Sequence, residues 1–214
     1  MQVITIPSGM LEANAYLLTD PESGESALID APCADGRLWE EAVRRKNSIR
    51  YILLTHGHID HIAGVQAIRD ITGAKVGIHP ADAACLQNSW ASLAGPMGLP
   101  LQNHPHLQPD LLLEDGACLL LGQKTIEVLH TPGHTQGGVC YRCSDLLFTG
   151  DTLFAGSFGR TDFPGGNLLE IQQSCRRLIS LADVARVLPG HGPETSLDAE
   201  RQSNPIFYCQ AKPR

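Results

Sequence analysis

His56-Gly57-His58-Ile59-Asp60-His61 follows the apolar run Tyr51-Ile52-Leu53-Leu54, so three imidazoles and a carboxylate stand within six residues at the end of a strand-like segment. Imidazole and carboxylate are borderline-to-hard ligands suited to zinc, iron or manganese. Four such side chains this close resist burial unless a cation compensates them. A solvated turn would gather them only by accident in a chain with 9 histidines among 214 residues. The stretch therefore reads as a metal site.

Working outward, Ile62, Val65, Ile68 and Ile71 repeat every three residues up to Gly73, which predicts a helix with a glycine C-cap. The metal stretch thus lies between a strand end and a helix start. Upstream, residues 3–6, 15–18 and 27–29 are short β-rich runs separated by Pro, Gly and Asp, as in an antiparallel meander. Asp35 is placed to cap a helix whose apolar pairs are Leu38/Ala42 and Trp39/Val43, with Arg44, Arg45 and Lys46 at its C-terminal end. Downstream, residues 75–78 predict a strand and 81–86 a short helix. Residues 87–110, rich in Pro, Gly, Asn and His, read as a substrate-shaping loop rather than a domain boundary. His104 and His106 in that loop, like His79 and His130, read as solvated side chains. The second half predicts strands at 126–129, 139–141, 146–148 and 184–188. It also predicts one long helix near 167–181, with Leu168, Ile171, Cys175 and Leu178 as its apolar face and Asn167 with Glu170 as a capping box.

A hydrophobic content of 43% with a net charge of -7 describes an ordinary globular chain and supplies no general attraction for nucleic acid or an anionic membrane. The N-terminus carries no basic leader, and no apolar stretch approaches the ~20 residues that cross a bilayer. Seven cysteines form no regular disulfide framework. The expectation is a soluble, cytoplasmic protein. Cys140-Tyr141-Arg142-Cys143 is a lone C-x-x-C inside a strand-like run, which favours a packing pair over a redox or zinc site.

Three more polar residues follow apolar strands in the same way: His134 in Pro132-Gly133-His134, Asp151 in Thr149-Gly150-Asp151, and His191 in Pro189-Gly190-His191. In layered α/β folds ligands gather beyond the carboxyl ends of strands, and glycine lets the backbone turn sharply there. Each has a separate structural explanation, Asp60 as a helix cap, Asp151 as a turn former, His191 as a loop residue. Together they supply five His and two Asp, a set suited to two cations.

This constellation resembles the metallo-β-lactamase-fold hydrolases over nearly the whole chain. The resemblance implies one domain over residues 1–214, an α/β fold of the αββα type in which two mixed β-sheets are flanked by helices. It also implies that His56, His58 and His134 hold a first metal, Asp60, His61 and His191 a second, and that Asp151 bridges them. The cofactors expected are two divalent ions, zinc first, with iron or manganese as alternatives. Two such ions hold a water between them as hydroxide near neutral pH and polarise the carbonyl it attacks, and Asp60 can orient that nucleophile.

Residues 150–163, Gly-Asp-Thr-Leu-Phe-Ala-Gly-Ser-Phe-Gly-Arg-Thr-Asp-Phe, are similar to the glyoxalase II group, the hydroxyacylglutathione hydrolases, and to the persulfide dioxygenases. Arg160 falls where glyoxalase II has a glutathione-contacting lysine, and its guanidinium could grip a substrate carboxylate. Its alternative is an ion pair with Asp162. Asp162 departs from the group's tyrosine, and the stretch after His191 does not continue into the group's helical domain. Asp151 and the missing leader argue against an antibiotic hydrolase. The expected function is cleavage of a glutathione thioester such as S-lactoylglutathione. The runner-up is a mononuclear-iron persulfide dioxygenase using His56, His134 and Asp151, and a minor alternative is a catalytically silent metal-binding interaction module.

Overall fold

The computed structural model describes residues 1–101 and 107–208. The chain opens with strands β1 (Gln2–Ser8), β2 (Ala13–Thr19) and β3 (Ser26–Ile29), followed by helix α1 (Gly36–Arg44) and strand β4 (Ile49–Leu53). Helices α2 (Ile59–Ile62) and α3 (Val65–Thr72), strand β5 (Lys75–Ile78), a 3-10 helix at Pro80–Leu86 and strand β6 (Leu111–Leu112) complete the first half. The second half runs β7 (Cys118–Leu121), β8 (Lys124–His130), β9 (Val139–Cys143), β10 (Leu146–Gly150), the short pair β11 (Leu153–Phe154) and β12 (Ser157–Phe158), α4 (Leu168–Ile179), β13 (Arg186–Pro189) and α5 (Leu197–Ser203).

Strands β1 to β6 form one sheet in sequence order, antiparallel from β1 to β3 as the meander predicts and parallel from β3 to β6. The second sheet has the order β13-β10-β9-β8-β7, with only β10 and β13 parallel. Both sheets are therefore mixed. Side chains alternate across each strand, and the alternation makes the layers. On β2, Tyr16 and Leu18 face the second sheet, joining Tyr141, Phe148 and Leu188, while Leu17 faces Leu38, Ala42, Val65 and Ile68 of the helices. On the far side Leu147 and Cys140 meet Ile171, Cys175 and Leu178 of α4 and Leu197 of α5. Helix, sheet, sheet, helix is the αββα order expected.

Several local expectations shift. Asp35 occupies the N-cap position of α1 but its side chain accepts no capping bond. Of the two apolar pairs, Leu38 and Ala42 are buried whereas Val43 is exposed. The single helix read from Ile62 to Ile71 is two helices, because Gly64 presses against another segment: a Cβ there would lie 2.1 Å from the Cys33 carbonyl oxygen. Its N–H donates to Ala31 O at 2.8 Å instead of extending the ladder. Gly73 does cap α3, in the left-handed region at φ 66. Leu168 is exposed and leaves the apolar face of α4. Asn167 caps α4, accepting from Leu169 N and Glu170 N at 2.9 and 3.3 Å; its own N–H goes to Gly133 O, which replaces the other half of the box. Cys140 and Cys143 are free and buried on opposite faces of β9, one against the helices and one between the sheets. Among the described residues no helix is long and apolar enough to cross a membrane.

Candidate metal centre

Every strand end singled out in the sequence opens on the same edge of the two sheets. The first sheet contributes His56 and His58 just past β4, then Asp60 and His61 on α2. The second contributes His134 after β8, Asp151 after β10 and His191 after β13. Four of the seven come from the first sheet's side and three from the second's. The seven side chains fall into three overlapping groups whose ligand atoms lie within 4.8 Å of one another: His56, His58 and His134; His56, His61 and Asp151; Asp60, His61 and His191.

In the first group His58 Nδ1 stands 3.1 Å from His56 Nε2 and 2.9 Å from His134 Nε2. In the third, His191 Nε2 lies 3.3 Å from both His61 Nε2 and Asp60 Oδ2. Asp151 reaches towards both, with Oδ1 3.4 Å from His61 Nε2 and Oδ2 3.5 Å from His134 Nε2. Its Oδ1 is buried and has no hydrogen-bond partner among the described residues. Converging imidazole nitrogens have lone pairs that one proton between two rings cannot all satisfy, and an orphaned buried carboxylate oxygen costs about 1–3 kcal/mol. A donor set of this kind fits a cation.

The outer nitrogens determine which atoms turn inward. His61 Nδ1 meets Asp30 Oδ2 at 2.8 Å. Asp30 also accepts from Thr55 N and Thr55 Oγ1, both at 2.8 Å, and the Thr55 hydroxyl lies 3.2 Å from His56 Nδ1. His134 Nδ1 donates to Arg160 O at 2.8 Å. His56, His61 and His134 thereby turn Nε2 into the cluster, whereas His58 presents Nδ1.

Charge follows the same division. Burial pushes His56 well below its ordinary range and His58 down to about 3, with neighbouring imidazoles adding to the effect. Burial also opposes charge on His61, but Asp30, Asp60 and Asp151 outweigh it and raise its pKa to about 10. His191 rises too, where its hydrogen bond to Asp60 and the charge of Asp151 overcome burial. Asp60 is held well below the usual carboxylate range: burial opposes this, and His61 and His191 prevail. Buried His56 and His58 are thus neutral, whereas His61 and His191 hold protons beside the ionised Asp60 until a cation displaces them.

Two aspartates went unremarked in the sequence. Asp30 sits past the apolar run of β3, the same position that exposed the other site residues, and is backbone-strained at φ 58. Asp82 carries no such signal. It lies in the 3-10 helix, is 4% exposed, and accepts from Gly57 N at 2.9 Å, Thr135 Oγ1 at 2.8 Å and Gly137 N at 2.8 Å. It ties the His56–His58 turn to the His134 turn. Gly190 permits a different close approach: a Cβ there would stand 2.2 Å from Asp151 Oδ1.

Arg160 lies beside the cluster, but its guanidinium is paired with Asp162 through two contacts of 2.7 Å and stacked 3.8 Å over the Phe163 ring. Phe163 in turn borders His58, with ring centroids 6.1 Å apart. His79 and His130 stay outside the cluster, stacked on each other at 4.1 Å. His104 and His106 lie outside the described residues.

Comparison with known proteins gives the same picture. Over 215 residues the chain is 36% identical to an uncharacterized protein of Mycobacterium leprae, covering 97% of this chain and 99% of the other. It is 33% identical to the hydroxyacylglutathione hydrolase GloC of Haemophilus influenzae, covering 99% and 100%. Among solved structures, BLEG-1 B3 metallo-beta-lactamase superposes with a TM-score of 0.88 at 32% identity, over 96% of this chain and 99% of that one. TTHA1623 in a di-iron-bound form does so with 0.81 at 36% identity, over 95% and 100%, and ETHE1 from Myxococcus xanthus with 0.77 at 28%, over 96% and 84%. Residues 9–191 match the metallo-beta-lactamase superfamily as a whole, and with this fold and this cluster the chain belongs to that superfamily.

Proposed function

We propose that this chain is a cytoplasmic, metal-dependent thioester hydrolase acting on a glutathione thioester such as S-lactoylglutathione. In this reading His56, His58 and His134 hold one divalent cation, Asp60, His61 and His191 the other, and Asp151 both. The observation that carries it is the completeness of the second group, Asp60, His61 and His191 assembled within 4.8 Å beside the first. Zinc is the first expectation, and the similar di-iron-bound structure keeps iron beside it. The chain is taken as one domain, with the 87–110 segment shaping the substrate site.

Cations held in such a site lower the pKa of a coordinated water and polarise a carbonyl. The chain's own residues do the rest. Asp60, held ionised by His61 and His191, accepts a hydrogen bond from the attacking water and aims it. With so low a pKa it orients the nucleophile rather than retaining its proton. Asp30 and Thr55 fix the rings of His61 and His56. The exposed Arg160–Asp162 pair offers a cation and an anion side by side, which complements the zwitterionic amino-acid end of glutathione.

The similarity to GloC supports the substrate class. The Gly159-Arg160-Thr161-Asp162-Phe163 run supports the second reading, an iron-dependent persulfide dioxygenase. The superposition on a B3 metallo-beta-lactamase adds a β-lactam to the substrates worth testing. Metal content should be measured beside thioester cleavage, oxygen uptake on glutathione persulfide, and β-lactam hydrolysis. Two ions per chain with thioester cleavage is the expected result. One iron with oxygen uptake and no thioester cleavage overturns it.

A further inference from the structure

On the Asp60 side of the cluster lies a cavity of about 530 Å³. Its walls include Met10 and Leu11 from the β1–β2 turn, Ile59 and Ala63 around α2, and Leu99 from the 87–110 segment. Among the described residues the charged side chains on its wall are Asp60 and Asp35, both acidic. Among the described residues no basic side chain lines the cavity to pair with the carboxylates of glutathione. Met10 and Leu11 are 75% and 46% exposed, two large apolar side chains held in solvent at the tip of a tight turn closed by Glu12 N to Gly9 O at 3.3 Å. An apolar tip over an acidic-rimmed apolar cavity suits a neutral hydrocarbon group.

The opposite side of the cluster has different chemistry. A second cavity of about 280 Å³ is lined by His58, Trp90, Thr135, Gln136 and Asp82, whose carboxylate is taken up by Gly57 N, Thr135 Oγ1 and Gly137 N. Phe163 and the Arg160–Asp162 pair stand beside His58. The charged half of a substrate belongs there. A lactoyl group has only one methyl to bury, whereas a cavity of about 300–1,000 Å³ accommodates a drug-sized ligand.

We infer that the acyl half of the substrate is an apolar chain longer than lactoyl, seated between Met10, Leu11, Ile59, Ala63 and Leu99, with the charged thiol half on the Arg160 side. This rests on the thioester reading. In the reaction the water oxygen bonds to the acyl carbon, the carbon–sulfur bond breaks, and acid and thiol leave with the two protons of water shared between them. No oxidant or other co-reactant is required.

The test uses the metal-loaded chain with S-acylglutathiones from acetyl to octanoyl and with S-lactoylglutathione. Burying each methylene is worth about fourfold in kcat/KM, so a rise of roughly threefold to fourfold per carbon over the first few carbons is expected. Leu11→Ser, at an exposed position, should lower the hexanoyl-to-lactoyl ratio of kcat/KM about tenfold. Leu120→Ser, at another exposed leucine on strand β7 outside the cavity wall, should leave that ratio unchanged. Lactoyl cleavage with no chain-length preference, or a ratio that Leu11→Ser leaves intact, overturns the inference and spares the thioester reading. No cleavage of any acylglutathione overturns both.

Discussion

Replacing Asp82 with alanine should loosen the cation site from a position that touches no proposed ligand side chain. The carboxylate is buried and accepts three hydrogen bonds of 2.8–2.9 Å, from Gly57 N between two ligand histidines and from Thr135 Oγ1 and Gly137 N just past a third. Bonds to a charged acceptor contribute about 1.5–3 kcal/mol each, an upper bound of roughly 4.5–9 kcal/mol for three. Bonds that share one acceptor are not additive and water can enter the truncated site, so a loss of about 3–5 kcal/mol is expected. In a chain of this size each kcal/mol moves the melting temperature by about 2–4 °C, so the fall should be on the order of 10 °C. Affinity for the more weakly held cation should drop about 10–100-fold, the usual effect of removing an outer partner of a metal site. Asp82→Asn, which keeps one acceptor oxygen, should fall between. Thermal melts with and without cation, together with chelator competition, measure both quantities. Asp110→Ala is the control, since Asp110 also holds a backbone N–H, Val76 N at 2.9 Å, but far from the cluster. If Asp82→Ala melts early yet binds cations as wild type does, the carboxylate only supports the fold and the reasoning fails.

Asp151→Ala should remove nearly all turnover and lower the bound metal, read by elemental analysis; full metal occupancy would refute a bridging role. Arg160→Ala should raise KM several-fold with little change in kcat, because the side chain sits at the rim and already has Asp162 as a partner. In metal-free protein, His61 is raised towards about 10 and stabilises fully below its unfolded pKa of about 6.5, a contribution lost as pH climbs through the folded value. His56 and His58 are depressed and destabilise as pH falls below about 6.5, where only the unfolded chain takes up their protons. Melts of chelated protein should therefore peak near neutrality, and the gain from added cation should be larger at pH 9 than at pH 6.5. The Cys140 thiol, pushed up to about 11 by burial, should resist alkylation, and non-reducing mass spectrometry should find no bond between Cys140 and Cys143.

The readable parts of this site share one property: each signal is local. His134, Asp151 and His191 follow apolar runs and carry a glycine beside them, so strand, turn and ligand appear within a few residues. The sandwich is legible through family resemblance and not through periodicity, and the alternation of Tyr16, Leu17 and Leu18 across β2 supplies its physical reason. What escaped reading was decided at a distance. Gly64 divides a helix because Cys33 lies against it. Asp82 looks like any helix-start carboxylate until Gly57 and Gly137 arrive from two other segments. Arg160 is a local case that left two readings open, a substrate fork and an ion pair with Asp162, and the structure shows the pair.

The division of the cluster between two sheets has a consequence for how the chain can be taken apart. Residues up to β6 carry His56, His58, Asp60 and His61, and residues from β7 onward carry His134, Asp151 and His191. Each sheet is built from one continuous stretch of sequence. Across the seam, Tyr16 OH and Asn14 Nδ2 of the first sheet grip Pro189 O at 2.6 and 2.9 Å, two residues before His191. A chain severed between Leu113 and Ala117 would yield two fragments with incomplete ligand sets, whose reunion a divalent cation would promote. Fragment complementation would then report the presence of the cation, with the ion serving as the clasp between two separately made halves.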